Sequence, residues 1–99
     1  MTQEEKIELL NKAIEKWGSN SQMDMVIEEC AELIKAINKF RRKPTSDNLR
    51  ELCGEVADVE IMCEQGRLLL NKNGLIDSIK EEKLERLRLL LENQPPSAE

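Results

Sequence analysis

The sequence predicts an all-α protein, and three observations support that prediction. Apolar residues recur at intervals of three and four through almost every segment, which is the period of an amphipathic helix. Breaks are sparse, since the 99 residues include only 4 Gly and 3 Pro. Strand signals, the alternating apolar and polar runs, are absent. We therefore expect one helical domain over 1–92, followed by a disordered polar tail over 93–99.

A polar break separates the first two helices. Thr2 followed by Glu5 has the spacing of a capping box, so the first helix is expected to begin there. "GSNSQ" at 18–22 interrupts the apolar period, and the second helix then runs from about 22 to 42. The predicted apolar faces consist of Ile7, Leu10, Ile14 and Trp17 in the first helix, and of Met23, Val26, Ile27, Cys30, Leu33, Ile34, Ile37 and Phe40 in the second.

Two turns lead into the last two helices. "RRKPTSDN" at 41–48 is predicted to be a loop, because Pro44 disfavours a helical residue before it and Ser46 or Asp47 can cap the next helix. "NKNG" at 71–74 is the second turn. The helices themselves are expected over 48–71, with Leu49, Leu52, Val56, Val59, Cys63 and Leu70 facing inward, and over 75–92, with Ile76, Ile79, Leu84, Leu87 and Leu91 on one side.

Composition excludes several functional classes. A net charge of -5 argues against a non-specific nucleic-acid binder. With no histidine, Cys/His metal sites and Ser/His or Cys/His nucleophile systems are excluded. The cysteines Cys30, Cys53 and Cys63 form no CxxC and are expected to be small buried hydrophobes in a reducing compartment. No apolar run is long enough to span a bilayer, and the acidic N-terminal segment does not resemble a signal peptide. A cytoplasmic location without a membrane partner is expected.

Carboxylates border the apolar faces of the second and third helices. Glu29 and Glu32 are three residues apart, as are Glu55 and Asp58, so each pair lies on one helical face. If the two helices pack antiparallel, the pairs can face each other. Four oxygen ligands without imidazole or thiolate suit Mg²⁺ or Mn²⁺. The spacing alone equally fits exposed acids without a ligand, because charge runs are usually solvated faces.

The two acidic stretches resemble known motifs. "EECAEL" at 28–33 and "EVAD" at 55–58 look like the EExxE and ExxD motifs of the MazG-like nucleoside triphosphate pyrophosphohydrolases. That all-α superfamily also includes dimeric dUTPases and phosphoribosyl-ATP pyrophosphohydrolase. The likeness covers roughly 17–90 and is closest in size to the small single-domain members of bacteria and phages. It implies a four-helix MazG-like protomer, whose helical bundle is completed by oligomerisation as a homodimer or homotetramer.

The resemblance also implies an activity. Members of this family hydrolyse the α–β phosphate bond of nucleotides to give the monophosphate and pyrophosphate, and so maintain the nucleotide pool. Carried over to this sequence, Glu29, Glu32, Glu55 and Asp58 would bind Mg²⁺, with Mn²⁺ as the alternative. Glu28 would be a further ligand through water, or a supporting group.

Contacts to a nucleoside triphosphate substrate are expected from cations and polar groups near the acidic motifs. Lys83 and Arg86 resemble basic positions on the last core helix of the family, and Lys35 follows the first motif. Trp17 could stack on a base. It could equally end the buried face of the first helix, which is the more usual role for a large apolar residue. Gln22 could form a hydrogen bond with a base, or it could instead stabilise the N-terminus of the second helix.

Two other functions remain open at this stage. One is an enzyme similar to phosphoribosyl-ATP pyrophosphohydrolase, which shares the chemistry but not the substrate. The other is a non-enzymatic, dimeric helical adaptor whose acidic faces meet a basic partner. The adaptor does not explain why acids border two apolar faces at matched spacing.

Overall fold

A computed structural model of the chain describes residues 1–70 and 72–93 and contains four α-helices. They are α1 (Gln3–Trp17), α2 (Ser19–Arg42), α3 (Ser46–Leu70) and α4 (Leu75–Glu92), with a short 3₁₀ turn at Lys72–Gly74. No strand occurs in these residues. The all-α prediction and the number of helices are confirmed. The predicted tail lies outside the described residues from position 94 onward.

Helix α1 begins and ends at local signals. The backbone N–H of Glu5 donates to Thr2 Oγ1 at 3.1 Å, and the Thr2 N–H donates to Glu5 Oε1 at 3.1 Å, which confirms the capping box. At the other end the N–H of Gly18 donates to the Ile14 carbonyl at 2.8 Å. Gly18 has φ 88°, a conformation that glycine adopts without strain. The expected break over 18–22 is too long, because one glycine turns the chain and α2 begins at Ser19.

The loop between α2 and α3 is also shorter than expected. Arg41 and Arg42 still belong to α2, and α3 begins at Ser46. Thr45 caps it, since its Oγ1 accepts the backbone N–H of Asn48 at 3.2 Å. The predicted caps are therefore wrong, Ser46 by one residue and Asp47 by two, since both are already helical.

The turn before α4 depends on left-handed backbone. Asn73 has φ 55° and Gly74 has φ 71°, and these two residue types tolerate that region best. Helix α4 then follows the predicted bounds. Position 71, the expected end of the third helix, lies outside the described residues.

The chain forms two compact units, Met1–Leu69 and the part from Leu70 onward, and each is described by itself. In the first unit α3 contacts both other helices. The Gln65 Nε2 donates to the Leu10 carbonyl on α1 at 3.3 Å. Lys39 on α2 pairs with Glu51 on α3 at 3.0 Å. The second unit contains α4, whose exposed face carries Arg88 bonded to its neighbours Glu85 and Glu92.

Burial departs strongly from the predicted apolar faces. Among the described side chains, the only apolar ones that are fully buried are Leu10 and Ala36. A helical period shows which side of a helix is apolar, but not whether another element covers it, and few helices are present to cover these. Of the predicted inward residues, seven are half-buried, namely Ile14, Val26, Leu33, Phe40, Leu52, Val59 and Ile76. The others except Leu10 are exposed, namely Ile7, Trp17, Met23, Ile27, Cys30, Ile34, Ile37, Leu49, Val56, Cys63, Leu70, Ile79, Leu84, Leu87 and Leu91.

The cysteine prediction is wrong in the same way. Cys30, Cys53 and Cys63 are free thiols, and all three are exposed. Within the described ranges, every helix is either too short or too polar to cross a bilayer.

Candidate active site

Carboxylates from α2 and α3 meet in the first unit. Glu29, Glu55 and Asp58 each place one carboxylate oxygen so that all three oxygens lie within 4.8 Å of one another. Glu29 and Glu55 are half-buried and Asp58 is exposed. We call these three residues the carboxylate cluster. Lys39 lies further along α2 and pairs with Glu51 earlier on α3, so the two helices run antiparallel through the cluster, as expected.

The electrostatics of the carboxylate cluster are unfavourable without a cation. The pKa of Glu29 is raised above its ordinary value of 4.5, first because its position removes water from the carboxylate. The negative charges of Asp58 and Glu55 raise it further. Oε2 of Glu55 is buried and has no hydrogen-bond partner in the described chain. An anionic oxygen in that position calls for a positive partner.

Two other predicted ligands lie beside the cluster. Glu28 and Glu32 are exposed on α2, and both contribute more weakly to the raised pKa of Glu29. Neither belongs to the group whose oxygens lie within 4.8 Å. They are therefore close enough to act on the cluster electrostatically, while the cluster itself consists of one residue from α2 and two from α3.

The chemistry of the cluster suits a hard divalent cation. Three carboxylates without nitrogen or sulfur ligands favour Mg²⁺, Mn²⁺ or Ca²⁺ over zinc or copper. The unpartnered Oε2 of Glu55 is an observation in favour of this fit, because a solvated acidic face leaves no carboxylate oxygen buried. Exposed acids also cluster without an ion, so the cluster defines a candidate site, and its metal remains a prediction.

The predicted phosphate contacts are exposed side chains. Lys35 lies on α2 between the cluster and the Lys39–Glu51 ion pair. Lys83 and Arg86 lie on α4, in the second unit. Their roles in binding phosphate stay predictions.

A cavity of about 410 Å³ lies between the three helices of the first unit, and it contains both residues predicted to contact a base. Trp17 lines it and is 57% exposed, so its expected role in the core is wrong. Gln22 also lines it and is 5% exposed. The full lining is Leu10, Ala13, Trp17, Ser21, Gln22, Met25, Met62 and Gln65.

Gln65 is the residue that the sequence reasoning missed. It is 1% exposed, and its Nε2 donates to the Leu10 carbonyl. Seven residues after Asp58, it lies only about 20° from that residue around α3, so it continues the face of the cluster. Its position on the same helical face as Asp58 is the sequence signal that indicates Gln65 as a candidate site residue.

No known protein family, curated protein or solved structure matches this chain. The likeness to MazG-like enzymes therefore rests on the two short acidic motifs and stays a prediction. What the described residues add independently is the carboxylate cluster and the cavity beside it.

Proposed function

We propose that this protein is a Mg²⁺-dependent nucleoside triphosphate pyrophosphohydrolase of the MazG-like type. It cleaves the α–β phosphate bond of (d)NTPs to give a nucleoside monophosphate and pyrophosphate, and so serves the nucleotide pool of the cytoplasm. The observation that supports this most is the meeting of Glu29, Glu55 and Asp58 from two antiparallel helices. These are three of the four positions at which the two acidic motifs place metal ligands.

The carboxylate cluster would hold the cation through Glu29, Glu55 and Asp58. A bound Mg²⁺ neutralises phosphate oxygens and lowers the pKa of a coordinated water. Glu28 and Glu32 stand next to the cluster on α2. One of them would help to hold the cation, and the other would accept the proton of the attacking water. The cluster alone would repel a triphosphate, so phosphate binding depends on the cation and on basic side chains, for which Lys35 of the same unit is proposed.

Oligomerisation would complete the fold. Most of the large apolar side chains of α2 and α3 are exposed in the single chain, and a patch of this kind usually marks an interface. A second copy covers the most apolar surface if the same face of each protomer meets the other, which is the geometry of a two-fold dimer. We propose a homodimer, or a dimer of dimers.

Hydrolysis in ¹⁸O-labelled water tests the activity. With a dNTP panel and Mg²⁺, we expect pyrophosphate as the product and label in the nucleoside monophosphate, because water attacks the α-phosphorus. Asp58→Asn should be inactive. Glu60→Gln, which changes an exposed glutamate of the same helix outside the cluster, is the matched control. Orthophosphate as the primary product would exclude this reaction, and no hydrolysis together with no response to Mg²⁺ would favour the adaptor.

A further inference from the structure

The cavity beside the carboxylate cluster has the size and lining of a small-molecule site. Its volume of about 410 Å³ falls within the range of ligand pockets. All eight lining residues are uncharged, so the cavity is not suited to phosphate. A flat aromatic ring, Trp17, and two carboxamides, Gln22 and Gln65, line it together. This combination favours a flat, neutral ligand with hydrogen-bonding edges.

One polar atom beside this cavity lacks a partner. Gln65 Oε1 is buried and accepts no hydrogen bond in the described chain. Its orientation is fixed, because the Leu10 carbonyl can only accept, so the amide nitrogen must face it and the oxygen must face away. The unpartnered group is therefore an acceptor, and a ligand that satisfies it must present an N–H or O–H.

The cavity adjoins the carboxylate cluster along both helices. Met25 stands four residues before Glu29 on α2, and Met62 stands four residues after Asp58 on α3. Each methionine is thus about one helical turn from a cluster residue, on the same face. A molecule whose phosphates meet the cluster would extend its other end toward the cavity. The unbranched methionine side chains can change rotamer to admit it.

We propose that this cavity binds the nucleobase of the substrate and that Gln65 recognises the base, its Oε1 accepting a hydrogen bond from a base N–H while the ring lies against Trp17. This inference rests on the proposed function, since it takes the substrate to be a nucleotide. An apolar ligand is disfavoured because it would leave the buried Gln65 Oε1 without a partner. Gln65 is thus a binding residue that discriminates between nucleotides and base-free phosphates.

The test compares a nucleotide with a ligand that has no base. The probes are α,β-methylene dNTPs, which cannot release pyrophosphate, and inorganic tripolyphosphate, both with Mg²⁺ and measured by calorimetry. Trp17 is the only tryptophan and there is no tyrosine, so protein fluorescence reports on Trp17, which lines the cavity and has Lys16 Nζ 5.3 Å from its ring centroid. Gln65→Met keeps the length of the side chain and removes the acceptor. Gln3→Met, at an exposed position of α1, is the matched control.

We expect Gln65→Met to weaken binding of at least one nucleotide analogue about 10-fold or more, equivalent to about 1.4 kcal/mol, and to leave tripolyphosphate binding unchanged. Nucleotide analogues should change Trp17 fluorescence in the wild type, and Gln65→Met should need a correspondingly higher analogue concentration for the same change. Unchanged nucleotide affinity in Gln65→Met overturns the inference. An equal loss for tripolyphosphate also overturns it, because Gln65 would then only support the fold.

Natural dNTPs separate this inference from the proposed function. Gln65-dependent binding of the analogues without pyrophosphate release from dNTPs would keep the base site and reject the hydrolase. Pyrophosphate release that is indifferent to Gln65→Met would keep the hydrolase and reject the base site.

Discussion

Replacing Glu55 with Gln removes one charge from the carboxylate cluster while keeping the size of the side chain. Glu55 Oε2 is buried and has no hydrogen-bond partner among the described residues, and a cluster oxygen of Glu55 lies within 4.8 Å of those of Glu29 and Asp58. A buried unsatisfied oxygen costs about 1–3 kcal/mol. The Gln amide can instead donate to a neighbouring carboxylate. We therefore expect Glu55→Gln to stabilise the metal-free protein. The expected gain is about 1 kcal/mol, the low end of that range, because the second hydrogen of the amide also needs a partner.

In the presence of Mg²⁺ the wild type should instead be the more stable of the two proteins. A cation that binds only the folded state stabilises it by mass action, by about 1.4 kcal/mol when its concentration is ten times the dissociation constant. The wild-type protein should gain this stabilisation. Glu55→Gln should lose most of it, because the substitution removes one of the carboxylates that would bind the cation. In a domain of this size 1 kcal/mol corresponds to about 4–8 °C in Tm.

Thermal unfolding followed by circular dichroism measures both effects. Each protein is melted in EDTA, in Mg²⁺ and in NaCl of matched ionic strength, so that screening is separated from binding. Glu60→Gln removes one exposed charge from the same helix and should respond to Mg²⁺ as the wild type does. A Glu55→Gln protein that is less stable than wild type in EDTA and gains as much from Mg²⁺ would refute the reasoning.

Three further predictions concern the rest of the site and the assembly. Because the pKa of Glu29 is raised from 4.5 in the folded protein, its contribution to the free energy of unfolding is largest below pH 4.5 and is lost as pH rises through the folded value. In urea titrations without metal, the free energy of unfolding of Glu29→Gln should therefore rise relative to that of the wild type from pH 4 to 7. Parallel pH profiles of the two proteins would contradict this. Glu32→Gln and Asp58→Asn should each lower turnover about 10²-fold or more with the fold intact, and near wild-type turnover at saturating Mg²⁺ would reject the assignment. Light scattering at micromolar concentration should show a dimer or tetramer that Ile27→Glu, at a 69% exposed position of α2, shifts toward monomer, whereas a monodisperse wild-type monomer would count against it.

Features that depend on a few neighbouring residues could be predicted from the sequence. The capping box at Thr2 and Glu5 needs only those two side chains and their own backbone, and it forms as expected. The bounds of α4 follow from the Asn-Gly turn before it. The sequence pattern predicts too late a start for α2, because residues 19–22 include no apolar side chain. The first turn of a helix does not need one once Gly18 has turned the chain.

Features that depend on how helices pack could be predicted only in part. The short connection between α2 and α3 predicts antiparallel packing, and this packing brings Glu29 close to Glu55 and Asp58. Glu32 has the same spacing from Glu29 as Asp58 has from Glu55, yet it stays outside the 4.8 Å group. Spacing along one helix cannot determine the relative register of two helices. That register is set by contacts between them such as Lys39–Glu51, whose position the sequence pattern does not indicate.

The buried glutamines connect the fold to the proposed site. Among the described side chains the fully buried set is Leu10, Gln22, Ala36 and Gln65, so half of it is polar. Polar residues in a core reduce stability unless they are satisfied, and one unsatisfied acceptor at about 1–3 kcal/mol is a large share of the 5–15 kcal/mol that stabilises a typical domain. A chain with so little apolar burial is poorly able to tolerate that cost without compensation. Departures from local rules of this kind concentrate at functional sites. Gln65 lies on the face of Asp58 and beside a cavity, so a ligand that donates to its Oε1 would remove the cost at the place where the substrate is proposed to bind.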